Sequence, residues 1–288
     1  MSGILHENGK KLLKLLEAKE FPQPEFIRIR YPILLCHGFG SLANVIKPSP
    51  MNDICMLARE HGIIAFAPNI TPYHSIQVRA YDWKRIIQII LKKTQASKIN
   101  IIAHSMAGLD TRYLISKTDM GKYVNTLTTI STPHHGTSLA EWGLSAPAKV
   151  RNILIDVFNW MGNNIYPKMQ SDVWAAIQEL TRDYVENEFN QKIPDSGDVA
   201  YYSYSSACGK DTNSPINRLL VPLNSYIYEK EGINDGFVSE QSAHWGNYTG
   251  LTGLSHTDLL KINLSSDKEK EWDDFWIGVL RMLSKKGH

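Results

Sequence analysis

One serine stands where a nucleophile could be made. The stretch Lys98 to Asp110 reads K-I-N-I-I-A-H-S-M-A-G-L-D. A short apolar run, Ile99 to Ala103, leads to Ser105; small residues follow at Ala107 and Gly108, then a helical pattern from Leu109 to Ile115. Strand, sharp turn and helix make the shape of a nucleophile elbow, in which a strained turn lifts a hydroxyl above a sheet. Small neighbours are needed because strand and helix pass close together there. The bare G-x-S-x-G pattern fails, since alanines stand at Ala103 and Ala107. A serine between strand and helix can equally be an N-cap, so the chemical reading depends on the company it keeps.

A hydroxyl becomes a nucleophile when a base takes its proton and a carboxylate holds the base in one tautomer. Behind an elbow of this kind the partners follow in the order acid, then histidine. Late in the chain His244, His256 and His288 remain. His288 is the last residue. His244 lies in Q-S-A-H-W, a run that could be regular structure. His256 lies on a Gly-Leu-Ser turn, where a loop could reach the elbow, and is the preferred base with His244 as its rival. For the acid, Asp235 in N-D-G follows a loop and precedes an apolar F-V; Asp211 and Asp198 compete with it. An N-D-G turn alone is ordinary turn chemistry.

The reaction would also need donors for a developing oxyanion. Tyr31 to Cys36 is an apolar run ending in His37-Gly38-Phe39-Gly40. Glycines after a buried strand let backbone N–H groups turn toward a reacting oxygen. His37 and His104 flank the same centre but precede the acid, so they are expected to bond the oxyanion loop or line the pocket. His134 and His135 follow a strand end and read as structural. No H-E-x-x-H or comparable spacing is present, and neither a metal nor a cofactor is expected.

The elements that must hold these residues alternate. Short apolar runs at Tyr31 to Cys36, Ile63 to Ala67, Ile99 to Ala103, Val124 to Ile130 and Val199 to Ser205 read as strands. Asn52 to Glu60, Ser75 to Lys93 and Lys268 to Ser284 read as helices; the second sets Ile76, Ala80, Trp83, Ile87 and Ile90 along one side. This alternation predicts a parallel sheet covered on both faces. Between Thr137 and Asp195 the text turns helical and aromatic, with Trp142, Phe158, Trp160, Tyr166 and Trp174 beside Met161 and Met169. It reads as a helical insertion over the sheet, within one domain of residues 1–288. Lys10 to Lys19 is amphipathic, packing its leucines on the domain or lying on a membrane surface.

Composition narrows the classes. The 288 residues are 43% hydrophobic and 21% charged, with a net charge of +2, which gives no reason to expect nucleic acid. Cys36, Cys55 and Cys208 are far apart and show no C-x-x-C, so reduced thiols are expected. No apolar run is long enough to span a membrane. Met1 to Glu20 lacks the apolar core of a secretory signal, and an intracellular location is expected.

Taken together, L-C-H-G-F-G-S, A-H-S-M-A-G-L-D-T-R-Y, I-S-T-P-H-H-G-T-S-L-A, N-D-G-F-V-S and S-H-T-D-L resemble the triacylglycerol lipases of the α/β-hydrolase superfamily, especially bacterial family I lipases and related fungal intracellular lipases. The blocks run from about Pro32 to Asn263. The resemblance implies an α/β-hydrolase fold with Ser105 as nucleophile, Asp235 as acid and His256 as base. It implies an oxyanion hole from the N–H groups of Phe39 and Met106, and an insertion at 137–195 that acts as a lid. His37, Gly38, His104 and Trp142 are then expected at the substrate site. Ala107 would add a methyl where helix and strand pass closest. Many secreted relatives hold a calcium ion near the histidine loop; Asp258 matches one ligand position and Asp211 could supply another, but Ile262 stands where an amide is expected, which speaks against calcium.

The reading is therefore an ester hydrolase with lipid-like substrates and possible contact with a lipid interface. A phospholipase, thioesterase or acyltransferase would use the same groups, because pocket shape selects leaving group and acceptor. A non-catalytic binding protein on this fold would be expected to lose one of the three groups.

Overall fold

The computed structural model describes residues 24–39, 49–145, 170–262 and 264–288. Its frame is a six-stranded sheet, all neighbours parallel, in the order β2-β1-β3-β4-β5-β6. The strands are β1 (Ile33–Cys36), β2 (Ala65–Phe66), β3 (Ile99–His104), β4 (Val124–Ile130), β5 (Ala200–Ser206) and β6 (Asn247–Thr252). Successive side chains of a strand point to opposite faces, and both faces here are apolar. Ile33 and Leu35 of β1 join Ile102 in one core cluster; Leu34 and Cys36 join Ile99, Ile101 and Ala103 in the other. That is why these strands read as unbroken apolar runs rather than alternating ones.

Helices cover both faces. The first face carries α1 (Asn52–Glu60) and α7 (Glu269–Lys285); the second carries α2 (Ile76–Thr94) and α3 (Ala107–Lys117). In α2, Ser75 is the N-cap, its hydroxyl accepting the Val78 N–H at 3.4 Å. Trp272, Trp276, Val279, Leu280 and Leu283 of α7 fall on one stripe and are all buried, each Val or Leu contributing about 1.5–3 kcal/mol of apolar transfer. The fold is that of the α/β hydrolases.

Three elements differ from the sequence reading. β2 is only Ala65–Phe66, because it is an edge strand that Pro68 closes. Helix α6 (Val221–Glu231) forms where the sequence reads as loop; its charged and polar residues mask the short apolar stripe of Leu223 and Ile227, and Pro222 stands in its first turn. β6 carries N-Y-T-G-L-T, mostly exposed, so it lacks the buried pattern that marks the inner strands. Of the insertion read at 137–195, α4 (Ser138–Ser145), α5 (Gln170–Gln178) and a π-helical turn, Tyr184–Phe189, are described and helical. Phe158, Trp160, Met161, Tyr166 and Met169 lie outside the described residues, as does the amphipathic stretch Lys10 to Lys19. Among the described residues no helix is long and apolar enough to cross a membrane. Cys36, Cys55 and Cys208 are free and buried.

Candidate functional site

Ser105 follows the central strand β3 and adopts φ 57°, a left-handed conformation that costs a non-glycine residue energy. Bonds on both sides hold it there. Its N–H donates to Ile130 O at 3.0 Å; its carbonyl accepts from the Thr132 hydroxyl at 2.8 Å and from Gly108 N–H at 3.0 Å. Met106 then opens α3, so the N-terminal end of a helix lies beside the serine. Ala107 is buried in the same core cluster as Ile101 and Ala103 of β3, and one residue on, a Cβ at Gly108 would stand 2.2 Å from Thr132 Oγ1. Gly108 is thus the glycine the turn requires.

The H-G-F stretch after β1 comes against the serine. A Cβ on Gly38 would lie 2.6 Å from Ser105 Cβ and 3.1 Å from Ser105 Oγ, so only glycine fits. His37 is fully buried and both ring nitrogens serve the backbone: Nδ1 bonds Gly38 O at 3.1 Å, and Nε2 accepts from Ile70 N–H at 3.2 Å. Burial, with the Arg79 guanidinium nearby, pushes its pKa down to about 3. A neutral His37 shapes the loop and has no nitrogen left for a substrate.

Sequence reading missed the residue that ties this loop down. Arg79, wholly buried, donates to His37 O (2.8 Å), Gly38 O (3.2 Å), Thr71 O (2.7 Å) and Pro72 O (3.2 Å), and pairs with Asp110 Oδ2 at 2.9 Å. With two carbonyls of the loop drawn toward Arg79, its backbone direction is fixed. The signal was present, because Arg79 lies on the apolar side of α2 between Ile76 and Trp83, where a cation must find a buried partner. Burial, opposed by Arg79, pushes Asp110 up to about 7. Arg79→Met is expected to destabilise the fold by about 3–5 kcal/mol, since it strands buried acceptors and a carboxyl. Among surviving folded molecules it should also lower kcat by roughly 10–100-fold. Calorimetry and ester kinetics on the variant test both halves; unchanged kcat would remove Arg79 from any role in the loop.

Asp235 and His256 meet at the far side. His256 Nδ1 lies 2.7 Å from Asp235 Oδ2, and the two backbones are joined by His256 N–H to Asp235 O at 3.1 Å. The carboxylate is fully buried but satisfied: Oδ1 accepts Phe237 N–H (2.9 Å) and Val238 N–H (2.8 Å), and Oδ2 also accepts the Ser206 hydroxyl (3.0 Å). Those bonds fix its orientation and make Nδ1 the protonated nitrogen of His256, leaving Nε2 as the free base. The His256 ring packs 4.4 Å from His104, the residue before Ser105, and 5.0 Å from Phe237. The structure thus gathers Ser105, Gly38, His104, Asp235 and His256 at the C-terminal ends of the strands.

The rivals go elsewhere. His244 Nε2 bonds Glu240 at 2.6 Å and its ring packs on Tyr248 near β6. Asp198 is exposed, and Asp211 is exposed and accepts the Tyr228 hydroxyl at 3.0 Å. Asp258 gives its Oδ2 to the Lys268 ammonium at 2.8 Å. Asp211 and Asp258 thus each have a protein partner, and no group of three or more His, Cys, Asp or Glu able to hold a metal occurs among the described residues. His134 is buried, bonded to Arg112 and Thr129, and stacked on Trp245.

An apolar surround adjoins the serine. Phe39 packs against the cluster of Leu139, Leu220, Leu223 and Ile227, which Trp142 and Phe237 also flank, and against that of Tyr73, Ala140, Val173 and Ile177. Trp142 is half-buried and stacks on Tyr226 at 4.9 Å.

Three buried histidines make a prediction for acid. His37 is held down to about 3, and burial holds His104 and His134 well below the ordinary 6.5. When the unfolded chain binds these protons and the folded chain does not, stability falls as pH drops. Asp110, raised to about 7, works in the opposite sense between its ordinary 3.8 and 7, as do Glu179 and Asp195, which burial also raises; His288, lowered by burial, adds a fourth histidine on the other side. Thermal stability is therefore expected to decline from about pH 6.5 downward, before ordinary carboxylates titrate. Tm measured from pH 8 to pH 4 checks it, and a flat profile from about 6.5 to 5 would refute it.

Comparison with known proteins bears on this arrangement. Residues 77–166 match a family model described as "Putative serine esterase (DUF676)". The chain is 30% identical over 222 residues to triacylglycerol lipase 2 of Saccharomyces cerevisiae, covering 75% of this chain and 62% of the yeast protein. It is 24% identical over 249 residues to the triacylglycerol lipase of Pseudomonas fragi, covering 76% of this chain and 84% of that protein. The chain thus spans less than two thirds of the yeast relative. Among solved structures, the mature form of Bacillus licheniformis lipase BlEst2 aligns with TM-score 0.66 at 20% identity, covering 90% of this chain and 96% of that one.

Proposed function

We infer that this chain, an α/β-hydrolase-fold protein related in sequence to triacylglycerol lipases, is a serine carboxylic ester hydrolase acting on acyl esters such as acylglycerols. The observation that carries the reading is the convergence at one end of the sheet. Ser105 stands strained at φ 57°, Gly38 abuts it, and a His256–Asp235 pair of 2.7 Å packs against its neighbour His104.

Ser105 Oγ attacks the ester carbonyl while His256 Nε2 takes its proton. Asp235 keeps Nδ1 protonated and stabilises the imidazolium. The N–H groups of Phe39 and Met106, aided by the start of α3, receive the oxyanion. His256 returns the proton to the leaving alcohol, and an acyl group remains on Ser105. Water, deprotonated by the same histidine, then releases the acid.

The apolar residues around Phe39, together with the names of the sequence relatives, support a lipid-like acyl chain. Leu219 and Val221, 50% and 42% exposed beside buried Leu220, offer apolar contact for a lipid surface, and residues 137–195 serve as the lid. A fluorophosphonate probe is expected to label Ser105, and esters longer than acetate to be preferred. With a longer ester, rate should rise steeply once substrate passes its solubility limit. A preference for acetate would reject the lipid reading, and smooth saturation through the limit would reject a mobile lid.

A further inference from the structure

The histidine loop hangs from the last helix through side chains one turn apart. Lys268 immediately precedes α7; Trp272 and Trp276 follow at the next two turns of the same face. Their polar heads converge on the residues just after His256. The Lys268 ammonium donates to Asp258 Oδ2 at 2.8 Å and to Pro215 O at 2.8 Å. The indole N–H groups of Trp272 and Trp276 both donate to Leu259 O, at 2.9 and 3.1 Å. Glu271 Oε1 accepts Gly253 N–H at 3.1 Å, holding the approach to the loop.

The loop itself is a closed turn about the histidine. Asp258 Oδ2 accepts Ser255 N–H at 3.0 Å, and Ser255 Oγ accepts Asp258 N–H at 3.1 Å. His256 and Thr257 lie inside this reciprocal pair. A turn closed on itself has a defined shape but is not thereby oriented on the domain. Asp258 and Lys268 are only 7% and 8% exposed, so their ion pair is shielded. Lysine is rarely buried without a partner and a reason. Here its ammonium donates to a carboxylate of the histidine turn and a carbonyl of the 215 region, linking two loops to one helix.

We propose that Lys268, with Trp272 and Trp276, is a positioning device for His256: the ammonium and the two indoles set the histidine turn so that the Asp235-bonded ring faces Ser105. The proposal rests on the ester-hydrolase reading for its kinetic half, and none of the three residues touches substrate. Lys268→Met is expected to lower kcat by up to about 100-fold, the loss that misplacement by an ångström can cause. KM should stay within about twofold, since the acyl-binding residues around Phe39 are untouched. Trp272→Phe retains the buried ring and is expected to lower kcat by a smaller factor.

Purely structural support would also give a poorer enzyme, so the deciding variant is Lys268→Met combined with Asp258→Asn. It removes the orphaned carboxylate that Lys268→Met leaves buried. It is expected to recover Tm without recovering kcat; recovery of both would overturn the proposal, as would unchanged kcat in folded Lys268→Met. An independent reading uses the low-field imidazole proton between His256 and Asp235, followed by NMR in the intact protein. It should broaden or shift in Lys268→Met and Trp272→Phe, and an unchanged resonance in both would also overturn the proposal. If the wild-type protein neither labels with fluorophosphonate nor cleaves esters, the enzymatic reading fails while this resonance still tests the positioning.

Discussion

Ser105→Ala is expected to abolish fluorophosphonate labelling and to reduce ester turnover by several orders of magnitude, roughly 10³–10⁶-fold. In the proposed mechanism this oxygen is the attacking atom, and among the described residues His37 and the cysteines are no substitute for it. His37 has both ring nitrogens engaged by backbone, and the three cysteines of the chain are buried in the core. The φ 57° at Ser105 is as awkward for alanine as for serine, so the fold should survive with little change in Tm. That separation matters, because a collapsed protein would also lose activity. The measurement is single-turnover labelling with mass mapping, alongside a melting curve. Labelling that persists in the folded variant, at whatever residue, would displace Ser105 from the mechanism.

Asp235→Asn should cost about 10⁴-fold in kcat while leaving the backbone where it is. The carboxylate has two distinct sides. Oδ1 accepts Phe237 and Val238 N–H groups, and an asparagine would keep its carbonyl there. Its amide nitrogen would then point at His256 Nδ1, as a donor facing a donor. The ring would respond by carrying its proton on Nε2, which removes the base from the serine. The Ser206 hydroxyl, which donates to Oδ2 at 3.0 Å, can rotate to accept instead, so the tautomer change is the main consequence. His256→Ala should be at least as damaging, and adding either change to Ser105→Ala should cost little more, because in the proposed mechanism the three act as a unit. Stopped-flow ester kinetics on the single and double variants test this. Additive losses would argue against a shared mechanism, and a larger loss from His244→Ala than from His256→Ala would move the base to β6.

The turns that carry Ser105, Asp235 and His256 were legible because each is local. Ile99 to Asp110 carries its own strand, turn and helix signals, and N-D-G and G-L-S-H-T-D are turns whatever surrounds them. Apolar runs marked the inner strands, since burial on both faces leaves no place for polar residues. The edge strand β6 and helix α6 were not legible. One is largely exposed and the other buries only a narrow stripe, so neither bears the periodicity that burial imposes. The tightness at Gly108 was not legible either, since it depends on where Thr132 stands across the turn.

The sequence by itself determined the α/β class, the serine on its turn and a short list of acids and bases. Which members of the list meet depends on distances between residues far apart in the chain. Asp235 and His256 are 21 positions apart and 2.7 Å in contact, while Asp211 turns to Tyr228 and His244 to Glu240. Only the tertiary structure decided that Arg79, 42 positions from His37, bonds the carbonyls of His37 and Gly38 and that an ammonium from Lys268 fills the carboxylate of Asp258. The physical reason is the same in each case. A buried charge must find its partner in space, and spacing along the chain carries no record of which partner that will be.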